Sequence, residues 1–216
     1  MITALHYTSN RESEHFSSKI RENILKLKGD IPLISVSQKP LSNFGENICV
    51  GVHDNCYFNM CRQIQIGLKH ISTPFTLLVE GDFLYSPEYF TFTPSELHSY
   101  YYDNVWVLYD KSPPNRFHFK GRSTGAGIIP TKQWLEKVTA LFKGKHEWRM
   151  DSADDFEPPF DRPDPRFQWT GNPVITFKTK NQINSNTRTK GTAPKYSLPY
   201  WGHAQKLKEA FLYSET

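Results

Sequence analysis

Two carboxylates, Glu80 and Asp82, stand one residue apart at the end of an apolar run that begins at Phe75. Hard oxygen ligands so placed suit Mg²⁺ or Mn²⁺, which take carboxylates together with the phosphate oxygens of a bound substrate and keep part of their water. The chemistry this pattern serves is the handling of a diphosphate, in which a cation bridges two phosphates and neutralises charge on a departing group. Asp82 is the first candidate ligand. Glu80 is the second, and it is equally suited to holding a ribose hydroxyl. A strand followed by a solvated acidic turn has the same three residues, so the rest of the chain must decide between the two.

A second acidic group lies between Asp151 and Asp164, where six Asp or Glu fall within fourteen positions, interrupted by prolines. Such a run reads first as a solvated, irregular loop. Within it, Asp154 and Asp155 are the candidates for a general base that takes a proton from a hydroxyl. Basic residues gather elsewhere. Residues 171–216 hold seven Lys or Arg against two Glu, a net of +5, while the whole chain carries +4, which leaves −1 for residues 1–170. That basic segment suits a phosphate-bearing ligand or a nucleic acid, and charge alone does not separate the two. Gly121, Gly125 and Gly127 match neither a Walker loop nor a dinucleotide-binding spacing, so they read as a loop built for close backbone approach or as a hinge.

Elements that bring these groups together follow from hydrophobic period. Ile2 to Tyr7 reads as a strand ending in Thr8, Ser9, Asn10 and Arg11. Phe16, Ile20, Ile24 and Leu27 then recur at helical spacing between Ser13 and Lys28. Ile31 to Val36 is a second strand, which leaves Gln38 and Lys39 beyond its C-terminal end. After a loop with a strand-like piece at Ile48 to Val52, an apolar stripe from Asn55 to His70 predicts a second helix that leads into the acidic strand. Parallel strands joined by a helix cross over right-handed almost without exception. The loops after Tyr7, Val36 and Val79 should therefore meet at one sheet edge, where open α/β sheets bind ligands.

Further along, Ser86 to Leu97 is interrupted by Pro87 and Pro94 and reads as turn and short helix. Asn104 to Tyr109 is a strand, Phe117 to Pro130 a strand pair about the glycines, and Thr131 to Phe142 an amphipathic helix. Val174 to Lys178 is strand-like, a long polar basic stretch follows it, and His203 to Leu212 is a terminal helix. The expected fold is α/β, a mixed and mostly parallel Rossmann-like sheet flanked by helices, with a C-terminal extension. With 216 residues, a single domain accounts for the whole chain, divided into a core at 1–135 and a second region at 136–216.

Composition narrows the class. Fifteen Phe, eleven Tyr and five Trp supply much of the apolar content, so a ring-rich core and cleft are expected in a globular chain. No apolar run approaches the roughly 20 residues of a membrane span, and Met1 to His15 lacks the order of a signal peptide. A cytoplasmic location is the expectation. Cys49, Cys56 and Cys61 have neither CxxC spacing nor paired histidines nearby, and read as reduced, structural thiols.

The β-α-β-α-β order with a carboxylate pair at its third major strand resembles the GT-A glycosyltransferases. Ser35 to Leu41 (SVSQKPL), Asn47 to Gly51 (NICVG), Asn59 to His70 (NMCRQIQIGLKH) and Leu78 to Phe90 (LVEGDFLYSPEYF) look like the family-2-like members common in phage and bacterial genomes. The same layout is similar to that of glycosyltransferases associated with hydroxymethylpyrimidine DNA. The resemblance covers about residues 1–135, and there the motif is commonly E-D-D or E-x-D before a Leu-Tyr pair. Gly81 departs from E-D-D and removes one carboxylate.

The resemblance implies a nucleotide-diphosphate sugar donor such as a UDP-sugar, assisted by Mn²⁺ or Mg²⁺. It implies that Asp82 and Glu80 hold the metal, and that Thr8, Asn10, Arg11, Gln38, Lys39 and Glu80 face the nucleotide. Lys178, Lys180, Asn181 and Arg188 would close over the diphosphate. Many GT-A enzymes complete the metal site with a C-terminal histidine, whereas Asn172 to Gly202 contains none, so a lysine takes over that electrostatic role. The expected acceptor is a hydroxymethylated pyrimidine in DNA, with a polysaccharide, lipid-linked or protein acceptor as the alternative. A nucleotidyltransferase and a non-catalytic nucleic-acid-binding protein are the readings from outside this class.

Overall fold

The computed structural model describes residues 1–111, 115–149, 164–183 and 189–213. The chain runs β1 (Ile2–Thr8), α1 (Glu14–Leu27), β2 (Leu33–Ser37), β3 (Glu46–Cys49), α2 (Tyr57–Lys69), β4 (Phe75–Glu80), β5 (Phe83–Leu84) and α3 (Pro87–Thr91). It continues through β6 (Tyr100–Tyr102), β7 (Val105–Tyr109), β8 (Phe117–Gly121), β9 (Gly127–Pro130) and α4 (Thr131–Leu141). The last elements are β10 (Gln168–Trp169), β11 (Val174–Lys178), β12 (Ser197–Leu198), β13 (Gly202–His203) and α5 (Ala204–Leu212).

The main sheet has the order β10-β6-β9-β4-β1-β2-β3, with β4, β1, β2 and β3 parallel and β9 antiparallel to both its neighbours. This is a mixed α/β architecture with a large, mostly parallel sheet flanked by helices, as the hydrophobic pattern predicts. Alternate residues of its strands feed two cores. Ala4, Leu33, Leu77 and Val79 pack with Phe16, Ile20 and Ile24 of α1. Leu5, Ile34, Val36 and Leu78 pack on the other face with Cys61, Ile64 and Leu68 of α2 and Trp134 and Val138 of α4. The strands are apolar on both sides because both faces are covered.

A second, four-stranded sheet has the order β5-β11-β7-β8. Phe117 to Pro130 is therefore not a hairpin: β8 pairs with β7 in this sheet, whereas β9 joins β4 and β6 in the main one. The strand near position 48 is also earlier than its apolar residues suggest, running over Glu46–Cys49 in register with β2. The C-terminal part is woven into both sheets, β10 at the edge of one and β11 inside the other. Helix α5 packs against α1, with Phe211 stacked on Phe177 and Lys208 buried where its ammonium donates to the Asp110 carbonyl and Asn115 Oδ1. Among the described residues no helix is long and apolar enough to cross a membrane. All three cysteines are free thiols, Cys56 and Cys61 buried and Cys49 exposed.

Candidate functional site

A cleft of about 220 Å³ opens at the C-terminal edge of β1, β2 and β4. Register aligns those ends, since Tyr7 pairs with both Val36 and Glu80 and Thr8 pairs with Ser37. Helix α2 lies close over β1 and β2 at Gly67, where an added Cβ would fall 2.2 Å from Leu5 Cδ1. That approach lets Gln63 donate to the carbonyls of Thr8 (2.9 Å) and Val36 (3.1 Å), which ties the helix to the ends of two strands.

Glu80 ends β4, and its neighbours hold it in place. Its carboxylate accepts a hydrogen bond from the Tyr7 hydroxyl, and its backbone N–H donates to Tyr85 Oη at 2.8 Å. Tyr85 in turn donates to the Gly125 carbonyl at 2.7 Å. Gly125 has no room for a side chain, because a Cβ there would lie 2.4 Å from Glu80 Cδ. Burial pushes the Glu80 carboxyl up to about 7, and the Asp82 charge adds to the rise against the pull of Tyr7, Lys178 and Lys120.

Asp82 stands one residue before β5, and the pairing of β5 with β11 decides its partners. Phe177 N–H donates to the Asp82 carbonyl at 2.9 Å. Thr176 Oγ1 (3.1 Å) and Gln182 Nε2 (2.7 Å) donate to Asp82 Oδ2. Lys178 Nζ, at the end of β11, lies 3.8 Å from that same oxygen, and the two side chains are only 13% and 16% exposed. Lys120 arrives from β8, donating to Ser123 Oγ at 2.7 Å. Burial, and then the charge of Lys178, bring the Lys120 ammonium down to about 8, against the pull of Glu80 and Asp82. Two carboxylates and two ammonium groups thus share one part-buried cleft.

Of the residues expected from the sequence, Thr8, Arg11, Gln38, Glu80, Asp82, Lys178 and Asn181 line this cleft. Asn10, Lys39 and Lys180 are not among its lining residues. Asn10 instead joins two loops. At φ 51° it turns its carboxamide oxygen to the N–H groups of Gln38 (2.8 Å) and Lys39 (3.0 Å), clamping the loop after β1 to the loop after β2. Lys39 and Lys180 are exposed. Asp154, Asp155 and Arg188 lie outside the described residues.

Several lining residues carry no signal in the sequence. Lys120 is the main one; it sits just before Gly121 in a segment legible only as a glycine-rich strand pair. Glu12 is another, accepting from Thr179 Oγ1 and from Asn181 Nδ2 at 3.1 Å, while Asn55 Nδ2 donates to the Asn181 carbonyl at 2.9 Å. These bonds draw residues 179–182 across the loop that follows β1. The expected ring-rich cleft is only partly seen, with Tyr7, Tyr57 and Phe83 as its aromatic lining. Tyr85 and Trp169 instead stack on Tyr89 in the core, with Tyr102 edge-on to Tyr89 and Trp169.

The divalent cation implied by the resemblance meets an awkward donor set. Glu80 is engaged by Tyr7 and backed by Gly125, and Asp82 Oδ2 already takes two donors and faces Lys178. Among the described residues no group of three or more His, Cys, Asp or Glu could hold a metal ion. The side chains closest to a metal ligand set are thus engaged by Tyr7, Thr176, Gln182 and Lys178.

No family model matches the chain, and no curated protein sequence matches it. Solved structures similar to part of it include protein Aq1419 of Aquifex aeolicus VF5, 15% identical over 68% of this chain and 78% of that one, with a TM-score of 0.38. The glycosyltransferase GlyE of Streptococcus pneumoniae TIGR4 is 9% identical over 68% of this chain, with TM-scores of 0.38 in its apo form and 0.37 in a second structure. The matched part spans 40% of GlyE. Likeness at this level bears on neither the site nor the reaction.

Proposed function

We propose that the chain is a glycosyltransferase that binds a nucleotide-diphosphate sugar, with UDP-sugars foremost, in the cleft at Glu80 and Asp82. One observation carries this reading: the loops after β1 and β2, the acidic end of β4 and two lysines from the second sheet converge on a single opening. A diphosphate needs cationic donors where charge develops on the leaving oxygen, and Lys120 and Lys178 are such donors. Thr8, Arg11 and Gln38 border the same opening and suit the nucleotide. In the transfer, the bond from the anomeric carbon to the phosphate oxygen breaks with its electron pair leaving on the diphosphate. A new bond forms to the acceptor oxygen, whose proton passes to a base in an inverting reaction, the role for which Asp154 and Asp155 are the candidates.

The acceptor we favour is a hydroxymethylated pyrimidine in DNA, on the strength of the motif resemblance and the +5 charge of residues 171–216. A polysaccharide, lipid-linked or protein acceptor is the second reading, since sugars also stack on aromatic rings. The test is a panel of nucleotide sugars offered with hydroxymethylated and plain DNA, with products read by mass. Addition of one hexose or pentose to the modified DNA supports the first acceptor. Release of nucleoside diphosphate without DNA product moves the acceptor elsewhere, and release of pyrophosphate would identify a nucleotidyltransferase. DNA binding with no turnover of any donor would leave only a nucleic-acid-binding protein.

A further inference from the structure

We infer that Lys120 and Lys178 supply the positive charge opposite the donor's diphosphate in place of a divalent cation, so that binding and transfer persist in the presence of a chelator. This rests on the cleft being a nucleotide-sugar site and specifies how that site works. The two acids, which sequence alone marks as metal ligands, are already engaged, Asp82 beside a lysine and Glu80 with Tyr7. Asp82 Oδ2 is fixed by Thr176 and Gln182 and presents its charge to Lys178 Nζ at 3.8 Å. Glu80 is fixed by Tyr7 and by the backbone at Gly125, and lies within the electrostatic reach of both lysines.

The two ammonium groups lead the same way. A divalent cation in this space would stand beside the ammonium groups of Lys120 and Lys178, which repel it. A diphosphate entering the same space meets two compact ammonium donors. Lysine binds phosphate as such a point charge. As the leaving oxygen accumulates charge, Lys120 and Lys178 donate hydrogen bonds to the diphosphate, and no proton need be transferred to it.

The test is calorimetric titration of the full chain with inorganic pyrophosphate in excess EDTA, and turnover of the nucleotide-sugar panel with excess EDTA and with excess Mn²⁺. Pyrophosphate should bind in EDTA, and turnover should agree within about twofold between the two conditions. Lys120→Ala and Lys178→Ala should each weaken pyrophosphate binding by about tenfold or more, the usual loss of a charge-assisted hydrogen bond. Turnover that appears only with Mn²⁺, with no pyrophosphate bound in EDTA, would overturn the proposal and leave the transferase reading intact. Failure of pyrophosphate and every nucleotide sugar to bind in either condition would overturn both. The chelator comparison uses the wild-type chain, so the outcome holds even if an alanine variant fails to fold.

Discussion

Gly81 stands between the two acids because Thr8 occupies the space beside it. A Cβ at position 81 would lie 3.2 Å from Thr8 Oγ1 and 3.5 Å from His6 Cε1, the first of these tighter than side chains ordinarily pack. Thr8 is the neighbour that must give, and its Oγ1 is held by the Asn10 N–H, which donates to it at 3.1 Å. Gly81→Asp, which restores the third acid of the related motif, should therefore cost about 1–3 kcal/mol in urea unfolding. The absent carboxylate is a matter of space as well as of ligand count. Gly125 poses the converse case. Gly125→Ala would drive a methyl into the Glu80 carboxylate, which is a side-chain end, so the expected result is a shift of melting temperature of only a few degrees and a loss of turnover of about tenfold or more.

Lys120 adds a pH dependence at the same scale. An ordinary lysine stays charged to about 10.4, whereas Lys120 gives up its proton near 8. The charged form is the one that attracts a diphosphate. Pyrophosphate affinity should therefore fall as pH rises through about 8, and Lys120→Arg, which keeps its charge, should remove that part of the fall. A flat profile in the wild type would dissociate Lys120 from the ligand. The sequence marked Glu80 and Asp82 because acids after an apolar strand are rare enough to notice. It was silent on Lys120, since a lysine next to a glycine looks like any surface residue.

Secondary elements explain why that lysine points inward. Val105 pairs with Gly121 but Trp106 pairs with Phe119, so Lys120 is the extra residue of a bulge, followed by Gly121 at φ +81°. A bulge breaks the strand's alternation and re-aims one side chain, which is why strand period alone could not place Lys120. Helix α2 shows a feature that was half legible. Its apolar stripe announced a helix against the sheet, but nothing in the stripe distinguished Gly67 from a weak helical position. With a Cβ at 67 only 2.2 Å from Leu5, Gly67→Leu should push α2 off β1 and β2, destabilise by roughly 1–3 kcal/mol and loosen the bonds from Gln63 to both strand ends. Hydrogen exchange at the N–H groups of Thr8 and Gln38 would report that loosening, and unchanged protection together with unchanged stability would contradict it.

Across the whole molecule, the parallel core was readable because β1, β2 and β4 are apolar runs separated by one helical stripe each. The second sheet was not, because its pairings join Phe83 to Thr176 and Val174 to Val105, long-range contacts that leave no local trace. That sheet is what turns an acidic strand end into a mixed-charge cleft. It carries Lys178 to Asp82 from nearly 100 residues away in sequence, and brings residues 179–182 across the loop after β1. Basicity in residues 171–216 was legible as a sum, but its division between a cleft-lining Lys178 and an exposed Lys180 depended on the fold. The most direct measurement is nucleoside diphosphate release from a panel of nucleotide sugars by the wild-type chain and by Asp82→Asn. At least one donor should be turned over by the wild type, with release by the folded variant reduced about tenfold or more because Lys178 loses the carboxylate that positions it. No turnover of any donor by the wild type, or equal release by Asp82→Asn, would contradict a transferase centred on this cleft.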